Sequence, residues 1–301
     1  MKKIICLILA IMFILMFVIQ ASMVAFAAAP PTENASVFAG PYTCPPAPMD
    51  EYSFSDPAIY EAIRLDLVTN NVEGVTLRSD SIPTLITDEV EILQIGELDG
   101  AAITENDIKS IVAYFPNLKV LKLENCYITS IPAEIENLAS LSELYLSGNT
   151  LIGLSNIDFS KLTSLSILEL NSCGLTDIST LFNISTLHVL KLSNNNLTSE
   201  MIPQNIYMPN LEELDLSYNA LTTIPSSFSQ LQALKYLILN NNKITSVPSM
   251  YLQELIACNI ENNELSSPCD SLARLRNPLL RNNNIFADIL SIIRRYSFPP
   301  K

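Results

Sequence analysis

From Leu118 onward the apolar residues return in a fixed frame, apolar-x-x-apolar-x-apolar-x-x-Asn-x-apolar, that restarts about every 20 to 24 residues. Its segments begin at Leu118 (LKVLKLENCYI), Leu141 (LSELYLSGNTL), Leu165 (LSILELNSCGL), Leu187 (LHVLKLSNNNL), Leu211 (LEELDLSYNAL), Leu234 (LKYLILNNNKI), Leu255 (LIACNIENNEL) and Leu275 (LRNPLLRNNNI). The fourth and sixth positions, Leu121 and Leu123 in the first segment, alternate and so send both side chains to one face of a short strand. The positions between them face outward. One such strand cannot bury its apolar face alone, so the repeats must stack as a parallel sheet over a shared core.

The ninth position carries Asn149, Asn195, Asn219, Asn242, Asn263 and Asn283, whose amides can donate to and accept from backbone that turns inward after each strand. Cys126 and Cys173 take that ninth place and Cys258 replaces a fourth-position leucine, so all three read as small buried residues. Cys126 and Cys173 lie two repeats apart, about 10 Å at the strand spacing, beyond disulfide reach. The segments resemble leucine-rich repeats over roughly Val72 to Ile285. That resemblance implies an α/β leucine-rich repeat solenoid, with a curved parallel sheet on the concave face, short helical turns on the convex face and helical caps. Outer arms such as ITSIPAEIENLAS and LTTIPSSFSQLQA resemble the proline-containing class of these repeats, whereas LTDISTLFNIST resembles those of internalins. The chain is thus similar to secreted bacterial leucine-rich repeat proteins, distantly to internalins.

Ahead of the clear repeats the pattern changes several times. Lys2 and Lys3, an apolar run from Ile4 to Ile19 and the small-x-small Ala25-Phe26-Ala27 predict a signal peptide over 1–27. The competing reading is an uncleaved anchor, since Ile4 to Ala29 is long enough to cross a bilayer. Residues 28–55 are proline-rich and predict an extended linker. Over 56–117 we expect an N-terminal cap with two degenerate repeats, from Val72 and Val90. Its first helix starts at Asp56 with Pro57 in the first turn and Ile59, Ile63 and Leu67 on one face. A second, capped by Thr104, carries Ile108, Ile111, Val112 and Phe115. The repeats proper run over 118–285, and a helix with Ile289, Ile292, Ile293 and Tyr296 is expected to cap them over 286–301. No sorting signal or catalytic domain follows the last repeat, so the repeats are expected to be the working part.

The formal charge of −14 disfavours nucleic acid as a partner, and an acidic balance serves solubility as readily as it attracts a cation. A positive mean hydropathy of +0.28 reflects the leader and the leucine core. Five cysteines remain after the leader, an odd number with Cys44 and Cys269 expected at opposite ends, which gives no disulfide framework. Candidate chemistry is sparse: one histidine, His188, seven glycines, and no recognisable nucleophile triad, phosphate loop, zinc spacing or calcium loop. The sequence therefore predicts no enzyme, no metal and no cofactor.

The register that buries the leucines exposes a broad sheet face. On it we expect Tyr145, Ile167, Val189, Tyr218, Tyr236 and Ile238, interleaved with Glu143, Glu169, His188, Lys191, Glu212, Glu213, Asp215 and Lys235. Aromatics bordered by charge are the composition of protein-binding patches. The plainer reading is that such aromatics pack on neighbouring strands. Contact residues are expected at Tyr145, Ile167, Glu169, His188, Val189, Glu213, Asp215, Tyr218, Tyr236 and Ile238. The resulting expectation is a secreted or cell-surface, non-catalytic protein that binds a protein, or failing that a glycan, on its concave face. By analogy with internalins the partner would be a host-surface protein. The alternative is a structural component of the cell envelope, at the membrane only if the leader is kept.

Overall fold

The computed structural model describes residues 49, 53–70, 88–96, 98, 101–152, 154–248 and 252–265. The expected leader, the repeats from Val72 and Leu275, the terminal cap helix, Asn283, Cys44 and Cys269 lie outside these residues.

Eight short strands form one parallel sheet in chain order: β1 (Ile92–Ile95), β2 (Val120–Leu123), β3 (Glu143–Tyr145), β4 (Ile167–Glu169), β5 (Val189–Lys191), β6 (Glu213–Asp215), β7 (Tyr236–Ile238) and β8 (Ala257–Asn259). Pairing puts each frame position beside its equivalent, as in Leu144↔Leu168 and Leu168↔Leu190. Leucines at the first, fourth and sixth positions are buried in one continuous core. The outer arms return through single 3-10 turns, including Ala133–Asn137 and Ser226–Gln230 after a proline and Ser179–Asn183 without one.

The sheet begins one strand before the clear repeats. In the degenerate repeat from Val90, Val90, Leu93 and Ile95 are buried at the first, fourth and sixth positions, and Leu98 fills the place of the asparagine. Two helices flank this end. The first, α1 (Pro57–Thr69), is N-capped by the Asp56 carboxylate and buries Ile59, Ile63 and Leu67. The second, α2 (Glu105–Tyr114), begins with a capping box between Thr104 and Asp107. Asp107 also accepts hydrogen bonds from the Ser55 backbone N–H and hydroxyl, both at 2.6 Å, which tie the start of α1 to α2. Burial alone would raise this carboxyl, but the donors from Ser55 and Thr104 outweigh it and hold it below the usual range. Met49 and Phe54 are buried in the same core, so packing starts within the segment expected to be linker.

The ninth-position side chains knit the repeats together. The Asn149 amide donates to the carbonyls of Leu123 and Leu146, both at 2.7 Å, while its oxygen accepts from the N–H groups of Cys126 and Ile128. Asn219 spans the next repeats in the same way, accepting from Asn195 and Leu197 and donating to Leu192, Leu216 and Ser217. At the cysteine steps the thiol replaces the amide. The Cys173 Sγ lies 3.2 Å from the Leu146 carbonyl, and the Leu151 N–H, which an asparagine oxygen would receive, goes to the Cys173 backbone carbonyl at 2.9 Å. Burial pushes the Cys126 thiol up to about 12 and the Cys173 thiol up to about 11. Cys258, expected to be buried, is only half-buried on β8.

Just before the ladder residue the chain must leave the strand and turn inward. The eighth position does this in a left-handed conformation in all seven described repeats from Leu118 to Leu255: Asn125, Gly148, Ser172, Asn194, Tyr218, Asn241 and Asn262 have φ between 53° and 76°. Its N–H still pairs with the following repeat, as from Asn194 to the Ser217 carbonyl at 3.0 Å. Asparagine and glycine tolerate this backbone, whereas tyrosine is a costly occupant.

Candidate functional site

Parallel register lines up three rows on the outward face of the sheet. The third positions run Val120, Glu143, Ile167, Val189, Glu213, Tyr236 and Ala257; the fifth run Lys122, Tyr145, Glu169, Lys191, Asp215, Ile238 and Asn259. Beside them the second positions include Lys119, Ser166, His188, Glu212, Lys235 and Ile256. Nine of the ten expected contact residues lie in these rows, and Tyr218 lies at the eighth-position turn.

From β2 to β5 the face is closed on itself. Tyr145 is half-buried: its hydroxyl donates to Glu143 at 2.7 Å, and the Lys122 ammonium sits 4.8 Å from its ring centroid. Burial, the bond to Glu143 and surrounding carboxylates all push its phenol above the usual range. This aromatic is packed on its neighbours and is less exposed than its position in the frame predicts. Ile167 and Val189 are likewise half-buried. Glu169 pairs with Lys191 at 2.7 Å. Burial works against the Lys191 charge, but Glu169, with Glu213 and Asp215 adding, holds the ammonium above its ordinary range. His188 is exposed, its Nδ1 3.1 Å from the Thr186 carbonyl and 3.2 Å from the Ser166 hydroxyl.

From β6 to β8 the face is open. Tyr218 is 59% exposed and Tyr236 42% exposed, and Ile256 at the second position of the next repeat is 43% exposed. Ile238 lies half-buried in register with Asp215, and Tyr236 in register with Glu213. Among the described residues neither Glu213 nor Asp215 has a cationic nitrogen within 4.0 Å. Asp215 accepts the Ser217 N–H at 2.8 Å, and Glu212 is taken by Lys235 at 2.7 Å, which holds the Glu212 carboxyl below the usual range.

Two features of this region escape the frame. Ile256 is signalled only by an aliphatic residue at an outward second position. The strained backbone of Tyr218 is signalled by a tyrosine where the other repeats carry Asn, Ser or Gly. It also breaks a column of side-chain hydrogen bonds: Asn194 donates to Ser172 and Asn262 to Asn241, both at 3.0 Å, on either side of it. The arrangement offers rigidly placed aromatic, aliphatic and carboxylate groups suited to reversible contact.

A family model described as leucine rich repeat matches residues 116–175 and 185–244. The crystal structure of internalin C2 from Listeria monocytogenes is 26% identical, with a TM-score of 0.60, over 76% of this chain and 94% of that one. Protein PAC2 of Saccharomyces cerevisiae is 30% identical over 65% of this chain and 42% of its own length. The human leucine-rich repeats and immunoglobulin-like domains protein 3 is 31% identical over 48% of this chain and 13% of its own. The chain thus spans less than half the length of these two curated relatives. Its repeats are leucine-rich repeats, and its solenoid is internalin-like.

Proposed function

We propose that this internalin-like solenoid is a secreted, non-catalytic binding protein of a bacterium, and that its concave sheet face holds a protein partner, a host-surface protein foremost. Leucine-rich repeat proteins commonly act by binding other proteins, and the internalin C2 likeness supports a role outside the cell. One observation carries the reading: Tyr218 and Tyr236 stand well exposed on an uncovered sheet whose backbone is pinned by the asparagine ladder. Tyrosines held this way offer large contact area at little ordering cost, which is the composition of binding hot spots. Glu213, Asp215 and Ile238 border them, while Glu169, His188, Ile167, Val189 and Tyr145 form the flanking surface.

The test is affinity capture from host-cell surface proteins and from the producer's own envelope, run with the unmodified chain and with Tyr218→Ala plus Tyr236→Ala. We expect one host protein to be lost from the double variant, by about tenfold or more, with an unchanged thermal midpoint. Equal capture by both forms would remove the two tyrosines from the interface. Retention of only envelope components, by both forms alike, would replace the reading with a structural role.

A further inference from the structure

Two carboxylates of the open half form no close ion pair with the lysines around them, although both add to holding the charge of Lys191 on the neighbouring β5. Lys191 is engaged by Glu169 and Lys235 by Glu212, which leaves Glu213 and Asp215 side by side on β6 without an ion-pair partner among the described residues. Their carboxylates leave the same face of one strand, two residues and so about 7 Å apart. Each has an apolar neighbour about 4.8 Å away on β7: Tyr236 opposite Glu213, and Ile238 opposite Asp215. On the other side, over β5, the Lys191 ammonium blocks the approach of a second cation. An incoming positive charge is therefore guided in over β7, across aromatic and aliphatic surface.

A small inorganic cation gains nothing from Tyr236 and Ile238. A long basic side chain gains from both, because its stem buries apolar area while its head stays at the carboxylates. Arginine adds attraction to the tyrosine ring. The backbone at Tyr218 points the same way. Its left-handed turn, which Tyr127 shares, and the interrupted column of side-chain hydrogen bonds both disfavour a tyrosine there relative to the Asn, Ser or Gly of the other repeats.

Resting on the concave-face reading above, we propose that the surface over β6 and β7 receives a lysine or arginine side chain of a protein partner. The stem lies on Tyr236 and Ile238, the charged head sits between Glu213 and Asp215, and Tyr218 closes the rim.

A display library of random twelve-residue peptides, selected on the purified full chain, supplies a defined probe. We expect enriched peptides to carry Lys or Arg beside aliphatic or aromatic residues. Resynthesised, they should bind Glu213→Gln/Asp215→Asn about tenfold more weakly and Lys191→Gln severalfold more tightly, with affinity falling as salt rises. Tyr218→Asn should weaken the same peptides while raising the thermal midpoint, which separates lost contact from lost folding. Peptides without excess Lys or Arg that are nevertheless lost on Tyr218→Asn or Tyr236→Ala would overturn the basic partner and leave the concave-face reading standing. Basic peptides indifferent to the two amide substitutions would also overturn it. Enrichment unaffected by any of these variants, or no enrichment, would count against both.

Discussion

Tyr145 and Tyr236 occupy the same outward face of the same sheet, four strands apart, and have opposite fates. Tyr145 lies in the closed half, its hydroxyl held by Glu143 and its ring covered by Lys122. Tyr236 lies in the open half, in register with Glu213 and well exposed. The ladder beneath differs as well. Both cysteine steps, Cys126 and Cys173, underlie the closed half, while Asn219, Asn242 and Asn263 underlie the open one. An outward position in a repeat therefore makes a residue available for contact only if its neighbours leave it free. The half with the less engaged surface stands on the more fully bonded scaffold.

The most severe way to break the comparison is to cut the joint between its halves. Asn219 bonds five backbone groups, three of them (Asn195 N–H, Leu197 N–H and the Leu192 carbonyl) in the repeat of β5, and so ties that repeat to the repeat of β6. Asn219→Ala would orphan several of them in the core and cost about 4 kcal/mol. Because a solenoid is stabilised repeat by repeat, urea unfolding should then resolve into two transitions, one for each side. A single unshifted transition would show that the ladder does not couple the halves.

Alkaline pH probes the buried thiols, and comparing the Cys126/Cys173 variant with the unmodified chain isolates the two that underlie the closed half, since Cys258 on β8 is also raised by burial. The Cys126 and Cys173 thiols rise from an ordinary 9.0 to about 12 and about 11 because burial disfavours the thiolate. Stability from keeping them protonated is fully present below pH 9 and is lost as pH rises through the folded-state values. Unfolding midpoints should therefore fall more steeply above pH 9 in the unmodified chain than in Cys126→Ser/Cys173→Ser. Parallel slopes would mean that these thiols are not what titrates.

A matched pair of small changes sharpens the contrast itself. Tyr145→Phe removes a half-buried bond to a carboxylate and should cost about 1 kcal/mol. Tyr236→Phe removes a hydroxyl from an exposed ring and should stay within about 0.5 kcal/mol of the unmodified protein. Equal effects in thermal melts would erase the distinction between the halves.

The architecture was legible from the frame because burial follows the same period as the sequence: Leu121, Leu123 and Asn149 are where they are for reasons local to each repeat. The first strand was harder to read, since Leu98 stands where the asparagine would be and the core accepts either. The candidate contact residues were legible only as a face. Whether Tyr145 is covered depends on Lys122, a residue in the preceding repeat, and this becomes visible only when the register of β2 against β3 is fixed. The left-handed backbone at Tyr218 arises from the turn that each strand makes toward the ladder, and only the shared column of Asn, Ser and Gly hints at it.

The cysteine steps also make the molecule mechanically uneven. An asparagine joint is clamped through several N–H···O bonds, whereas the joint between the repeats of β3 and β4 relies at that point on a weaker sulfur donor in Cys173. If a tethered partner pulls along the stack, the seams at Cys126 and Cys173 are expected to tear before an asparagine seam, and either break leaves β4 to β8 together. Both thiol joints, at Cys126 and Cys173, lie away from the surface proposed to carry the load.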